Sequence, residues 1–170
     1  MSRLQKAAIA AMALTMMPIG TAQAQDSEAL VSFKSMRPSV AVELAQAALA
    51  SCQQGGYQVA VAVVDRFGQT QVVIRDRYAG AHTVGTATAK AWTSASFRTA
   101  TLELDQSIGE GALSQGLRDI PGTLVLGGGV PVEAAGSIVG AVGVSGAPGP
   151  DIDEDCARAG IEAISDRLDF

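Results

Sequence analysis

The stretch YQVAVAVVDRFGQTQVVIRD, residues 57–76, constrains the fold more than any other part of the chain. Tyr57–Val64 is a short, valine-rich apolar run, which is typical of a well-buried strand. The letters DRFGQ have the composition of a turn, and Gln71–Arg75 predicts a returning strand. Two strands joined by so short a turn pair antiparallel. The chain is therefore predicted to build an antiparallel sheet that includes this hairpin.

Helices are predicted on both sides of the hairpin. Residues 37–56 place Pro38 in a first helical turn, where proline is tolerated, and end at a pair of glycines. After the hairpin, Thr83 is the expected N-cap of a second helix, and residues 102–122 predict a short helix and a loop. The apolar faces of the first two helices consist of small residues at helical spacing: Ala41, Ala45, Ala48 and Cys52, then Val84, Ala87, Ala91 and Ala95.

The C-terminal part adds strands around a run of glycines. Thr123–Leu126, Val130–Glu133 and Gly136–Val144 are predicted strands, and Gly127–Gly129 is a predicted loop. The acidic letters DIDED then begin a last helix, where the helix dipole favours negative charge. This order of elements predicts an α+β fold, with a mostly antiparallel β-sheet flanked by helices in a single compact domain.

The N-terminus has the three parts of a signal peptide. Arg3 and Lys6 are cationic, Ala7–Met17 is an apolar run too short to cross a membrane, and the AQA at 22–24 fits a cleavage site. The predicted organisation is a signal peptide at 1–24, a flexible lead-in at 25–36 and a folded domain at 37–170. The mature protein is then periplasmic or secreted, without insertion in the membrane. An uncleaved N-terminal anchor is the alternative.

The charge of the chain disfavours two classes of partner. Removing residues 1–24 takes away two cations and no anions, so the net charge goes from −5 to −7, with 10 basic against 17 acidic residues. A nucleic-acid partner requires a basic surface, and anionic membranes attract one.

The two cysteines, Cys52 and Cys156, lie on the apolar faces predicted for the first and last helices. In an oxidising compartment an even number of cysteines favours a disulfide. The bridge would close a loop of about 100 residues and contribute ~3–5 kcal/mol in the chain-entropy model. No CxxC motif occurs, so a metal site is disfavoured. Two buried free thiols are the alternative.

His82, the single histidine, is the candidate metal ligand. It lies at a loop–helix junction among small residues, which leaves room for a large flat ligand. One imidazole suffices for haem, because the porphyrin supplies the other four in-plane ligands of the iron. The candidate partners of the haem propionates are Lys90, Arg75, Arg77 and Arg98. A surface or capping histidine and plain surface charges are the alternatives.

Other chemistries have weaker support. Gly127–Gly129 lies in neither a GxGxxG nor a GxxxxGK[ST] context, and the strand predicted after it offers no helix N-terminus to an anion. The alternatives are a loop whose backbone passes close to another group and a contact with a flat ligand. No GxSxG occurs, and a structural zinc site is disfavoured with one histidine.

Two segments resemble the GlcG/extracellular haem-binding protein family, which includes the C-terminal domain of one class of corrinoid adenosyltransferases. They are VAVVDRFGQTQVVIRDRYAGAHTVGTATAKAWTSASF and LGGGVPVEAAGSIVGAVGVSGAPGPDIDEDCARAGI. The resemblance covers nearly all of residues 40–165 and identifies 37–170 as a GlcG/haem-binding-like domain. It implies the same α+β fold, homo-oligomers and small-molecule binding, with haem as the best-known ligand. Lys90 and Gly127–Gly129 are positions of the shared pattern, whereas the role of His82 rests on its chemistry.

Three functional hypotheses follow. The first is an exported haem-binding protein, for carriage, sensing or a haem-linked redox role, with His82 on the iron. The second is an enzyme or accessory protein that acts on a small organic metabolite in a pocket formed by Lys90 and the glycine loop. The third is an oligomeric scaffold without a ligand. The sequence favours a binding protein over an enzyme.

Overall fold

The computed structural model describes residues 29–168, so the predicted signal peptide and the first part of the lead-in lie outside the described residues. The helices and strands of the described part are α1 (Pro38–Gln54), β1 (Ala60–Asp65), β2 (Thr70–Arg75), α2 (Thr83–Phe97), α3 (Thr101–Gly109), β3 (Gly129–Ala134), β4 (Ser137–Ser145) and α4 (Pro150–Glu162). Short 3₁₀ turns occur at Gln115–Asp119 and Ser165–Arg167.

The strands form one antiparallel sheet in the order β2-β1-β4-β3. In the centre of this sheet, Val63 lies opposite Val72 of β2 on one side and Val142 of β4 on the other. The predicted hairpin is therefore β1–β2, and its apolar strand β1 is buried on both faces. The described residues from Phe33 onward form one compact unit. The prediction of a single α+β domain with an antiparallel sheet is confirmed.

One face of the sheet is covered by α1 and α4, which pack on each other as well as on the strands. We call this side the apolar layer. It contains most of the large buried apolar side chains of the described residues, such as Leu44, Val61 and Val132, none of which is exposed. The burial of this continuous set is the main driving force for folding.

A disulfide joins the two helices of the apolar layer, between Cys52 of α1 and Cys156 of α4. Their Cα atoms lie 5.4 Å apart, a usual separation for bridged cysteines. The predicted disulfide is therefore present. Gly160 lets the helices approach closely, because a Cβ there would lie 2.7 Å from the Cβ of Ala48.

The other face of the sheet is covered by α2, and we call this side the α2 layer. Its buried apolar residues are mostly alanines, such as Ala87 and Ala91. Glycines on the strands bring the backbones together. A Cβ on Gly143 of β4 would lie 2.1 Å from the carbonyl oxygen of Ala87. The predicted small-residue face of this helix is therefore its contact with the sheet.

Two local predictions are wrong. Thr83 is not the N-cap but the first residue of α2, where its hydroxyl donates to the carbonyl oxygen of Gly80 at 2.7 Å. Thr123–Leu126 is not a strand. Leu124 N donates to Thr93 Oγ1 at 2.8 Å, and Thr123 N and Leu126 N donate to nearby carbonyl oxygens of Ile120 and Leu124 in place of a strand ladder. None of the helices within residues 29–168 has the length and apolar character needed to cross a membrane.

Candidate functional site

An open groove of about 780 Å³ lies where the N-termini of α2 and α4 meet the end of β4. We call it the His82 groove. Its volume falls within the range of about 300–1,000 Å³ that is usual for small-molecule sites. The groove is lined by Gly56, Tyr57, Gln58, Tyr78, Gly80, His82, Thr83, Thr86, Lys90, Leu124, Leu126, Ser145, Gly146, Ala147, Pro148, Gly149, Pro150 and Asp153.

His82 is exposed at the rim of this groove, directly before the first residue of α2. Its ring lies over Gly80, where a Cβ would come within 2.7 Å of the imidazole Cε1. The hydroxyls of Thr83 and Thr86 donate to the carbonyl oxygens of Gly80 and His82, which fixes the turn beneath the ring. The imidazole is therefore held on an ordered turn and is open to a ligand.

The N-terminus of α2 has neither a side-chain cap nor an acidic residue in its first turn. The unpaired N–H groups of a helix N-terminus carry a partial positive charge. The first turn of α4, in contrast, contains Asp151 and Asp153. The α2 side of the groove is thus the side that favours negative charge on a ligand.

Lys90 lies in the buried part of the groove, with 1% of its side chain exposed. Its Nζ donates to Asp153 Oδ2 at 2.8 Å and to the carbonyl oxygen of Val144 at 3.0 Å. Burial lowers the pKa of Lys90, and the attraction of Asp153 and Glu154 opposes this shift only in part. Lys90 is therefore both ion-paired and desolvated, a combination that the sequence did not predict.

Asp153 connects this ion pair to the wall of the groove. Its second carboxylate oxygen, Oδ1, accepts from the backbone N–H of Ala147 at 3.0 Å. Ala147 belongs to the loop between β4 and α4, which forms one side of the groove. A single carboxylate thus holds both the lysine and the adjacent loop.

The run Gly127–Gly129 makes room for the Lys90–Asp153 pair. Gly128 has a φ of +114°, and a Cβ there would lie 2.8 Å from the Cβ of Asp153 and 3.0 Å from the Lys90 Nζ. A Cβ on Gly129 would lie 2.3 Å from the carbonyl oxygen of Lys90. None of the three glycines lines the groove, so their role is close backbone approach.

The opposite wall carries Leu124 and Leu126, in the segment that the sequence predicted as a strand. Thr101 holds this segment, because its hydroxyl donates to the carbonyl oxygen of Leu126 at 2.7 Å and accepts from Gly129 N at 2.8 Å. Leu126 remains 39% exposed. Hydrogen bonds to the Thr101 side chain therefore hold this apolar wall in place, although the segment is not a β-strand.

The three candidate arginines are placed outside the groove lining. Arg75 donates to the carbonyl oxygen of Ala79 and so supports the loop that carries Tyr78 and Gly80. Arg77 lies with its guanidinium 5.4 Å from the centre of the Tyr78 ring. Arg98 lines a separate pocket of about 260 Å³. The structure thus brings His82 and Lys90 together and leaves the arginines at other positions.

Two residues of the groove were missed by the sequence analysis. Asp153 was interpreted only as a favourable charge at a helix N-terminus, and no sequence signal links it to Lys90, 63 residues earlier. Tyr78 is 78% exposed and lines the groove. The position of this tyrosine, directly before the small-residue turn that leads to the single histidine, is a sequence signal that could have indicated its place in the groove. In the part of the chain that the structure describes, no group of three His, Cys, Asp or Glu could hold a metal ion.

Together, the fold and the groove define a small α+β domain with a ligand-sized groove at the N-termini of two helices. Residues 36–162 match the family described as haem degrading protein HbpS-like. Because this match covers most of the chain, the chain belongs to the HbpS-like family. The resemblance to a haem-binding family is thereby confirmed.

Two relatives of known sequence are similar over much of the chain. The corrinoid adenosyltransferase PduO of Salmonella typhimurium is 34% identical over 125 residues, which are 72% of this chain and 37% of PduO. The chain therefore matches only about a third of PduO. A 15.0 kDa protein from the dhaT-dhaS intergenic region of Citrobacter freundii is 33% identical over 110 residues, 64% of this chain and 78% of that protein.

Solved structures share the fold. HbpS superimposes with a TM-score of 0.77 and 39% identity, covering 84% of this chain and 99% of HbpS. A double mutant of the Streptomyces reticuli HbpS superimposes with a TM-score of 0.76 and 38% identity, and the match covers 86% of this chain and 99% of the mutant. A complex of PduOC with haem superimposes with a TM-score of 0.71 and 31% identity, and the match covers 76% of this chain and 95% of PduOC.

Proposed function

We propose that this chain binds haem in the His82 groove, where the His82 imidazole would hold the iron. The observation that carries the proposal is an exposed imidazole at the rim of a groove of about 780 Å³, in a chain of the HbpS-like family. The solved complex of the similar PduOC with haem supports it. His82 is the single histidine of the sequence, so no second imidazole of the same chain competes for the iron.

The walls of the groove fit a flat and largely apolar ligand. Leu124, Leu126 and Pro148 offer apolar surface, and the exposed ring of Tyr78 offers a stacking surface. The N-terminus of α2 favours the negative charge of the propionates. Haem would supply an iron centre for gas, redox or electron chemistry, whereas the residues of this chain bind and orient it.

The test is a haemin titration of the mature chain without a histidine tag, because a tag would itself bind iron. We expect saturable binding near one haem per chain with a defined Soret band. His82→Ala should shift the Soret band and weaken binding, and free imidazole added to this variant should restore the wild-type spectrum. Gln106→Ala, an exposed position on α3 outside the groove, is the matched control.

Three results of this experiment would count against parts of the proposal. Adsorption without saturation in the wild type would exclude a haem site and leave the metabolite and scaffold hypotheses. Binding that His82→Ala retains with an unchanged spectrum would remove His82 from the iron. A Soret shift in Tyr78→Phe but not in His82→Ala would assign the iron ligand to the phenol oxygen, since Tyr78 also lines the groove.

We further propose that the protein is exported after removal of residues 1–24 and acts as a homo-oligomer. The disulfide supports export, because such bonds persist in oxidising compartments. The mass of the mature protein from a periplasmic or secreted fraction should correspond to a chain that begins at Gln25. Light scattering after gel filtration should give a mass above that of one chain, and a monomer would contradict the oligomer.

A further inference from the structure

The Lys90 ammonium has binding capacity that the fold does not use. A lysine ammonium carries three N–H donors, and here one is taken by Asp153 Oδ2 and one by the carbonyl oxygen of Val144. The third has no acceptor among the described residues 29–168. A donor on a buried, charged group gains more from an acceptor than an exposed one does. The lining of the groove includes Lys90, so a ligand can supply that acceptor.

The acidic groups near Lys90 are already engaged. Asp153 accepts from Lys90 with Oδ2 and from Ala147 N with Oδ1. Glu154 accepts from Arg158 at 2.7 Å and from Leu102 N at 3.3 Å. Asp153 and Glu154 thus have hydrogen-bond partners of their own, and Asp153 uses only one of its oxygens on Lys90.

Lys90 also lies at a suitable place relative to His82. Lys90 lies on the same side of α2 as Thr83 and Thr86, and His82 directly precedes the helix. All four residues line the same groove. Lys90 follows His82 by eight positions, which is about 12 Å along the helix axis. One ligand with a metal centre and a carboxylate a few bonds away can reach both positions.

We propose that the Lys90 ammonium binds a carboxylate of the ligand at the buried end of the His82 groove. The inference deepens the proposed function and rests on it. It adds a binding position for a ligand carboxylate, at Lys90, to the position proposed for the iron, at His82. The carboxylate can come from a porphyrin propionate or from a free dicarboxylate such as succinate. The chemistry is the same in both cases, a charge-assisted hydrogen bond to a partly desolvated lysine.

The test compares haemin with haemin dimethyl ester, which lacks both carboxylates. The wild-type mature chain should bind haemin at least about tenfold more tightly than the ester, as expected for loss of one hydrogen bond to a charged group. Lys90→Met/Asp153→Asn removes both charges, and the amide oxygen introduced by the second substitution can still accept from Ala147 N. This variant should lose most of the preference for haemin over the ester and keep only the part that the N-terminus of α2 contributes. Gln106→Ala, outside the groove, should keep the wild-type ratio.

Succinate distinguishes the two sources of the carboxylate. The carboxylate is assigned to a free acid if two results are found together. The wild type binds succinate saturably while the double variant does not, and the wild type binds haemin and the ester with equal affinity. Equal affinities without succinate binding overturn the carboxylate position while the haem site stands. If neither haemin nor the ester saturates and succinate does not bind, the haem proposal and this inference both fail. Unfolding curves of the double variant confirm that it is folded.

Discussion

The two faces of the sheet are covered in different ways, and the groove lies where α2 of one layer and α4 of the other begin. The apolar layer has large side chains and a disulfide between its helices. The α2 layer has alanines and glycines, and its helix begins at the groove. Its buried Lys90 pairs with Asp153 in the first turn of α4, so the ion pair joins the two layers. The comparison teaches that stability and ligand binding depend on two different kinds of packing. Large side chains fill one side, and close backbone approach leaves room for charged and ligand-binding groups on the other.

The largest expected effect is in the apolar layer. Cys52→Ala/Cys156→Ala removes the bridge that closes a loop of 104 residues. We expect a loss of about 3–5 kcal/mol in the free energy of unfolding, since the open chain gains conformational freedom. Urea unfolding under non-reducing conditions measures it. A loss below about 1 kcal/mol would show that the two helices are held by packing alone.

The next effect tests the close approach in the α2 layer. Gly143→Ala places a Cβ 2.1 Å from the carbonyl oxygen of Ala87, so the helix must move. We expect a loss of at least about 1–3 kcal/mol, as for overpacked cores. The matched control is Gly85→Ala on α2 itself, where a Cβ meets nothing within 4 Å. That variant should gain about 0.5–1 kcal/mol through helix propensity. Equal effects of the two changes would contradict close packing of this helix.

The smallest effect concerns the buried ion pair. Burial lowers the pKa of Lys90 from its ordinary 10.5 in the folded chain. Between the lowered value and 10.5 the unfolded chain binds more protons, so the contribution of this lysine to stability rises with pH. The free energy of unfolding of the wild type should therefore increase relative to Lys90→Gln as the pH is raised from 8 to 10. A constant difference over that range would contradict the lowered pKa.

Patterns of period two and of helical period predicted much of this architecture. The valine-rich run and its turn gave the hairpin, and helical spacing placed both cysteines on facing helices. The Lys90–Asp153 pair could not be predicted, because two residues 63 positions apart meet only through the tertiary fold. The segment 123–126 resembles a strand in composition, but Thr93 binds the N–H of Leu124 and Thr101 binds the carbonyl oxygen of Leu126. Because such hydrogen bonds come from side chains distant in the sequence, they produce no periodic pattern from which they could be predicted.

The most direct test of the separation between the layers is to measure haemin affinity and urea unfolding for two variants in parallel. Leu44 is fully buried in the apolar layer, so Leu44→Ala should lose about 2–5 kcal/mol of stability. It should still bind haemin with the affinity of the wild type under conditions where it is folded. His82→Ala should unfold like the wild type and lose the wild-type Soret spectrum. Loss of haemin binding by folded Leu44→Ala, or retention of the spectrum by His82→Ala, would contradict the account.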